Sequence, residues 1–338
     1  MADRQVFHAW ISAARLRTLP LSISGILVGS AYAYYDINRT YKAFASVLSD
    51  ASDTSTITFY NFLIPILALI TTLGFQVLSN FANDYGDGVK GTDNEDRIGP
   101  MRAIQSGLIS PQQMKVAMTI TALVTLASAV TLIYVSLGWE QLLISLLFLS
   151  LGIAAIWAAI KYTVGDNAYG YRGLGDVFVF IFFGPVSVEG IYFLITKSWN
   201  WQMLLPSICI GLLSVAVLNL NNMRDAESDK KAGKNTLVVK MGWSKAKLFH
   251  YTLITGAFVS SSLFYITVWY RGYLNLSTPD ANLLIFLPVL AFIPLFLHLL
   301  RVQKTQVPAL LDPELKKVAL STFLFALLAI ISTWVLST

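Results

Sequence analysis

Apolar residues along this chain come in long unbroken runs, without the periodic polar positions that give a soluble helix or strand one wet face. Crossing a hydrocarbon core of roughly 30 Å as helix takes about 17–25 residues. Nine runs qualify, at about 19–35, 59–81, 115–137, 140–160, 174–195, 202–222, 250–270, 282–300 and 317–336. The pattern predicts an all-α polytopic membrane bundle of nine transmembrane helices, its cytoplasmic loops capping a central cavity. The longest polar segments are 36–58, 82–114 and 223–248, and no Pro/Gly/Ser linker or low-complexity tract divides the chain. One domain over residues 1–338 is the economical expectation.

Composition agrees: the chain is 55% hydrophobic and 13% charged, with a mean hydropathy of +0.62. The side on which the charge falls adds more, because short loops retain Lys and Arg on the cytoplasmic face. The N-terminus and every second loop hold 20 of the 24 Lys and Arg residues, leaving Arg39, Lys42, Lys197 and Arg271 for the other side. The N-terminus is therefore expected inside and the C-terminus outside. The net charge of +5 suits anionic lipid headgroups and requires no nucleic acid. The opening "MADRQVFHAWISAARLRTLP" is too polar and basic for a signal peptide and reads as mature protein. A single cysteine, Cys209, excludes an intrachain disulfide and a thiolate metal cluster. His8, His250 and His298 are too scattered along the chain to suggest a metal site.

Against this apolar background, "NDYGDGVKGTDNED" (83–96) gathers five carboxylates directly behind a membrane run. A second apolar run ends the same way: "LSNFANDYGD" (78–87) parallels "VLNLNNMRDAESD" (217–229), four spans apart and on the same face, as a weak internal duplication would place them. If both helices continue past the membrane, side chains three, four or seven apart share a face. Asn80, Asn83, Asp84 and Asp87 then form one stripe, and Asn222, Asp225 and Asp229 another. Mg²⁺ takes oxygen ligands and is commonly held by one or two carboxylates plus substrate phosphates. The interleaved cations Lys90, Arg97, Arg102, Arg224, Lys230 and Lys234 favour an anionic ligand over a bare cation site. One Asp/Asn/Gly-rich loop alone would be an ordinary solvated turn; the matched pair argues for a site.

A third cytoplasmic segment, "KYTVGDNAYGYRGLGDVFVFIFFGP" (161–185), adds Lys161, Tyr162, Tyr169, Tyr171, Arg172 and Asp176. The tyrosines fit an interfacial belt, while Lys161 and Arg172 could reach diphosphate oxygens. Arg15 and Arg17 precede the first span, where they either anchor it or hold an anionic substrate. Glu189, in mid-span, must face the bundle or a partner. A transporter with acids at a repeat interface is the rival from another class, but these acids lie at helix ends.

The loop acids, "YRGLGD" (171–176) and "NNMRDAESDKKAGKNTL" (221–237) together resemble the UbiA-type intramembrane aromatic prenyltransferases, and "NDYGDGVKGTDNEDRIGPMRAIQSG" (83–107) looks like the 1,4-dihydroxy-2-naphthoate polyprenyltransferase branch. The resemblance extends over nearly the whole chain, including "RTLPLSISGILVGSA". The family's first motif is Asn-Asp, two residues, Asp, three residues, Asp; Asn83, Asp84 and Asp87 match, the last acid falls on Gly91, and Asp93 is next. Asp225 and Asp229 match the second motif. The resemblance implies a nine-helix, Mg²⁺-dependent enzyme of a bacterial plasma membrane, acting in menaquinone biosynthesis on polyprenyl diphosphate and 1,4-dihydroxy-2-naphthoate. No obligate protein partner follows from it. Expected metal positions are Asn80, Asn83, Asp84, Asp87, Asp93, Asn222, Asp225 and Asp229. Diphosphate contacts are expected from Asn83, Lys90, Arg97, Arg102, Arg172, Asn222 and Lys230, with Lys90, Arg97 and Lys161 assisting catalysis beside the four motif aspartates. Arg15, Arg17, Tyr162, Tyr169 and Tyr171 are candidates for the acceptor. A sister acceptor such as 4-hydroxybenzoate is the alternative.

Overall fold

The computed structural model describes residues 2–45, 55–93, 98–274 and 283–337. Among them the chain forms helices and no strand: α1 (Ala2–Ala14), α2 (Leu19–Ala45), α3 (Ser55–Val89), α4 (Pro111–Leu137), α5 (Leu142–Lys161), α6 (Gly175–Ile181), α7 (Ser187–Thr196), α8 (Leu204–Arg224), α9 (Ala226–Lys231), α10 (Leu237–Met241), α11 (Trp243–Leu274), α12 (Phe292–Lys304) and α13 (Asp312–Ser337). Eight described helical segments are long and apolar enough to span a membrane. A ninth results if α1 and α2, which meet at a 45° bend, count as one broken span. The expected run at 19–35 lies inside α2.

Backbone chemistry sets where these helices start and break. Ser110 opens α4 with a reciprocal capping box to Gln113, followed by Pro111, whose missing N–H costs nothing in the first turn. The fifth expected span is not one helix. A π turn over Phe182–Val186 separates α6 from α7 at Pro185, which cannot donate the ordinary helical hydrogen bond. The eighth begins as a 3₁₀ segment, Leu283–Ala291, around Pro288 and becomes α-helix only at Phe292.

Lipid offers no hydrophobic drive between helices, so close packing must come from small residues. Gly25 and Gly29 of α2 lie against α7 so closely that an added Cβ would stand 2.3 Å from the Ser187 hydroxyl oxygen or the Val188 carbonyl oxygen. Large side chains such as Leu123 and Leu143 point outward instead, 63% and 83% exposed, as lipid-facing positions should be. One buried cluster surrounds α8 with Ile191, Ile210, Leu213, Phe264 and Phe325. A smaller one joins α1, α3 and α4 through Ala9, Leu78, Phe81 and Met114.

Some polar groups buried in the bundle meet across helices. His250 of α11 and His298 of α12, far apart in sequence, meet with their Nε2 atoms 2.8 Å apart. His298 Nδ1 lies 2.7 Å from Glu314 Oε2 of α13, and Glu314 also pairs with Lys317 and Arg301. Two histidines 48 residues apart in sequence thus meet in the fold. Glu189 is buried in α7, and its carboxylate has no hydrogen-bond partner among the described residues.

Candidate active site

A cavity of about 480 Å³ runs along the bundle, walled by α2, α3, α4, α5, the α6–α7 break, α8 and α13. Its apolar length is lined by Ile26, Ala68, Leu132, Ile133, Phe148, Ile191 and Leu194, with Phe182 and Phe183 from the π turn. Its polar end collects Arg15, Asn80, Asn83, Asp87, Asp93, Arg102, Asn222, Asp225, Asp229 and Lys234.

The first stripe forms because α3 stays helical to Val89, past the end of its apolar run. Asn83 and Asp87, four residues apart, face the cavity together. Asp84 does not. It is 1% exposed, is not a lining residue, and accepts the backbone N–H groups of Ala103 and Ile104 at 3.1 and 3.3 Å. Expected among the metal ligands, it instead points away from the cavity by helix geometry: one residue along from Asn83 is a turn of about 100°, which aims the carboxylate at the 98–110 loop. Asn80 lines the cavity, but its amide donates to the Ala14 carbonyl at 2.8 Å and accepts from Gln76 at 3.2 Å, which ties down the α1–α2 bend.

Asp87 is held from two sides. The Tyr171 hydroxyl donates to Oδ1 at 2.8 Å and Lys234 Nζ donates to Oδ2 at 3.2 Å. With Tyr171 donating to Asp87, the Thr92 hydroxyl, 2.6 Å away, donates to Tyr171. Burial and the adjacent Asp87 charge push the Tyr171 phenol above its ordinary range, so it stays a donor. Burial opposes the Lys234 ammonium, but the carboxylates of Asp87 and Asp229 outweigh burial and raise its pKa.

The second stripe ends α8. Asn221, Asn222, Asp225 and Asp229 all line the cavity, across a helix break at Asp225 that α9 bridges, its Asp229 N–H donating to the Asp225 carbonyl at 2.9 Å. Arg224, 1% exposed, grips Asp225 with two hydrogen bonds of 2.8 and 2.7 Å and also pairs with Asp312 at the start of α13. The expectation counted Arg224 only as an interleaved charge. In the structure it sets the direction of the Asp225 carboxylate.

The remaining candidates divide. Arg102 lines the cavity with its Nε 3.8 Å from Asp93. Arg15 also lines it, with a left-handed backbone at φ 51°, a conformation that costs a non-glycine residue free energy and concentrates at functional sites. Tyr162 and Tyr169 form wall. Burial pushes the Tyr162 phenol up to about 12, and the Tyr169 hydroxyl donates to the Ala158 carbonyl at 2.8 Å while its ring stacks on Phe178. Tyr171, also expected at the acceptor, is not a lining residue and supports Asp87. Lys90, Lys161, Arg172 and Lys230 are exposed and do not line the cavity. Lys90 donates to the Gly165 carbonyl at 2.9 Å with its ammonium over the Tyr171 ring, and Arg172 pairs with Asn167. Direct diphosphate contact by these four is not what this geometry presents. Arg97 and the side chain of Arg17 lie outside the described residues. Sequence reasoning left Asn221, Asp312 and Lys316 unassigned, although the structure brings all three to the cavity. The last two lie in the first turns of α13, which carries no motif.

The donor set at the polar end is oxygen throughout, two carboxylate faces supplemented by asparagine amides, which fits a hard cation such as Mg²⁺. Among the described residues no three His, Cys, Asp or Glu side chains converge as a closed metal cage. A cation here therefore needs further oxygens from a ligand, as Mg²⁺ does when it is shared with phosphates.

The sequence profile of the UbiA prenyltransferase family matches residues 51–311. A 1,4-dihydroxy-2-naphthoate octaprenyltransferase of Haemophilus influenzae is 39% identical over 94% of this chain and 93% of its own length. The protein of that name from Escherichia coli is 41% identical over 78% of this chain and 79% of its own. Among solved structures, a UbiA homolog from Archaeoglobus fulgidus bound to DMAPP and Mg²⁺ superposes with a TM-score of 0.55 at 13% identity, covering 94% of this chain and 98% of that one. That likeness gives the fold, while the profile and the relatives give the lineage: the chain belongs to the UbiA prenyltransferase family.

Proposed function

We propose that this protein transfers a polyprenyl group from polyprenyl diphosphate to 1,4-dihydroxy-2-naphthoate, with loss of the ring carboxylate as CO₂, giving demethylmenaquinol for menaquinone (vitamin K2) synthesis in a bacterial plasma membrane. The observation that carries the reading is one cavity with two opposed acid stripes and basic side chains at its polar end and a long apolar wall behind them. It has the shape of a diphosphate carrying an isoprenoid tail. The acceptor is taken from the naphthoate-named relatives. The excess of basic residues on the same side as the polar end supports a cytoplasmic site, with the N-terminus inside and the C-terminus outside.

Asn83, Asp87, Asn222, Asp225 and Asp229 would hold Mg²⁺, which when bound supplies positive charge to the diphosphate oxygens. Arg102 and Lys234 add fixed positive charge as the allylic C–O bond breaks and its electron pair leaves with diphosphate. The Phe148, Phe182 and Phe183 rings beside the apolar wall exclude water from the allylic cation. The ring carbon bearing the carboxylate attacks with a π pair, and the pair of the C–CO₂ bond returns to the ring as CO₂ departs. Arg15, which lines the cavity, would hold that carboxylate until it goes.

The test is an acceptor panel with one labelled prenyl diphosphate and purified protein in detergent. Turnover with dihydroxynaphthoate, abolished by chelation and restored by Mg²⁺, is expected. Preferred turnover of 4-hydroxybenzoate would refute the acceptor assignment, and turnover unaffected by exhaustive chelation would refute the metal.

A further inference from the structure

Lys234 is the feature that the proposed reaction does not fully use. It is 9% exposed, yet its ammonium reaches both acid stripes, 3.2 Å from Asp87 and 3.9 Å from Asp229. Its backbone is fixed on both sides. Lys234 N–H donates to the Asp229 carbonyl at 2.8 Å, after Gly233 turns the chain at φ 73°, a conformation glycine adopts without steric cost. Asn235 N–H donates to the Tyr171 carbonyl at 3.0 Å, and Thr236 caps α10 by accepting from Val239. The side chain also passes near the Tyr171 ring, 5.4 Å from its centre. A lysine that merely attracted phosphate from solution would not need this degree of backbone fixation or burial between two carboxylates.

We infer that Lys234 is a resident counter-cation that couples metal entry to the diphosphate, so that the divalent ion binds tightly only in company with the ligand's phosphate oxygens. This rests on the proposed metal–diphosphate site. The physical argument is competition. Two buried carboxylates without a cation would repel each other and would attract a divalent ion strongly. With the ammonium between them, a bare ion must displace a charge that is already hydrogen-bonded, and it finds no closed cage of protein ligands among the described residues. An incoming diphosphate changes both sides of this balance: its oxygens complete the metal's shell, and they give the displaced ammonium a new anionic partner. The coupling must be reciprocal, metal tightening diphosphate as much as diphosphate tightens metal. The consequence is an enzyme that does not hold a metal ion unproductively, and whose two acid-bearing helices stay tied together between turnovers.

The test is equilibrium dialysis of Mn²⁺, as a paramagnetic stand-in for Mg²⁺, against the full detergent-solubilised chain with and without saturating inorganic pyrophosphate. The expected result for the natural protein is Mn²⁺ binding at least about tenfold tighter with pyrophosphate than without. Lys234→Met should tighten pyrophosphate-free Mn²⁺ binding by about tenfold and shrink the pyrophosphate effect, while Lys234→Arg should restore the natural pattern. Equal Mn²⁺ affinity with and without pyrophosphate in the natural protein overturns the inference even if Lys234→Met does not fold. So does unchanged metal-alone affinity in a folded Lys234→Met. Absence of Mn²⁺ binding under both conditions would instead remove the metal–diphosphate site itself, and the inference with it.

Discussion

The aspartates at 84 and 87 are three residues apart and chemically identical, yet replacing each by asparagine should have opposite consequences. Asp84 accepts two backbone N–H groups, Ala103 at 3.1 Å and Ile104 at 3.3 Å, from a position 1% exposed. Hydrogen bonds to a charged group contribute about 1.5–3 kcal/mol each. Both distances exceed the usual charge-assisted range, so about 1.5 kcal/mol apiece is appropriate. Asp84→Asn keeps one acceptor, now neutral, and turns an NH₂ group toward the other N–H, leaving a buried donor unpaired at about 1–3 kcal/mol. The net loss is about 2–4 kcal/mol, confined to the tie between α3 and the 98–110 loop. Thermal unfolding in detergent should shift down by several degrees, and limited proteolysis should cut within 98–110 faster, while kcat at low temperature falls only a few-fold. Asp87→Asn, facing the cavity, should lower kcat by about a hundredfold or more, the scale of a lost electrostatic group at a reacting centre. A hundredfold loss of kcat in Asp84→Asn with an unchanged melting temperature would refute this division of labour and return Asp84 to the metal.

Arg224→Lys cannot reproduce the paired grip on Asp225 and should reduce kcat about tenfold, the lower end for losing a group that orients a ligand; an unchanged kcat would show that Asp225 aims itself. Lys161→Ala and Lys230→Ala, both exposed and away from the cavity lining, should alter kcat/KM by less than about fivefold, roughly 1 kcal/mol; larger losses would mean that these loops close over the bound diphosphate. A cysteine placed at Lys231 should react with impermeant maleimide only from the cytoplasmic side, and one at Glu140 only from outside, because Cys209 is buried and silent; labelling of both from one side would break the topology.

Much of this molecule was legible in the sequence because the membrane leaves few choices. With no water in the bilayer core, an apolar run of sufficient length must be helical, so the positions of the spans followed from hydropathy alone. Cavity-facing Asn83, Asp87, Asn222, Asp225 and Asp229 followed from helical spacing. The sequence did not reveal departures from ideal continuation. Asp84 was grouped with its stripe because spacing of one and three cannot be separated without the helix phase relative to the cavity. Hydropathy also missed the π turn at Phe182–Val186, since a broken helix is as apolar as a straight one. Lys234 and Arg224 stood in the sequence only among six interleaved cations; tertiary packing reveals that each is buried against aspartates. The exposed lysines and arginines depart from their expected places for the converse reason: a basic residue beside a motif is near it in sequence, but its long side chain can turn to a backbone carbonyl instead, as that of Lys90 does.

The buried chain His250–His298–Glu314 constrains how the protein can be made. α11 is synthesised first, carrying His250; the imidazole it pairs with arrives with α12, and the carboxylate that completes the chain arrives only with α13. Until all three are side by side, the groups lack the partners that their buried positions in the finished bundle require. The last third of the chain therefore behaves as one unit of biogenesis. A ribosome stalled between α12 and α13, or a truncation there, should leave a segment that membrane quality control recognises, even though each helix is hydrophobic enough to insert alone.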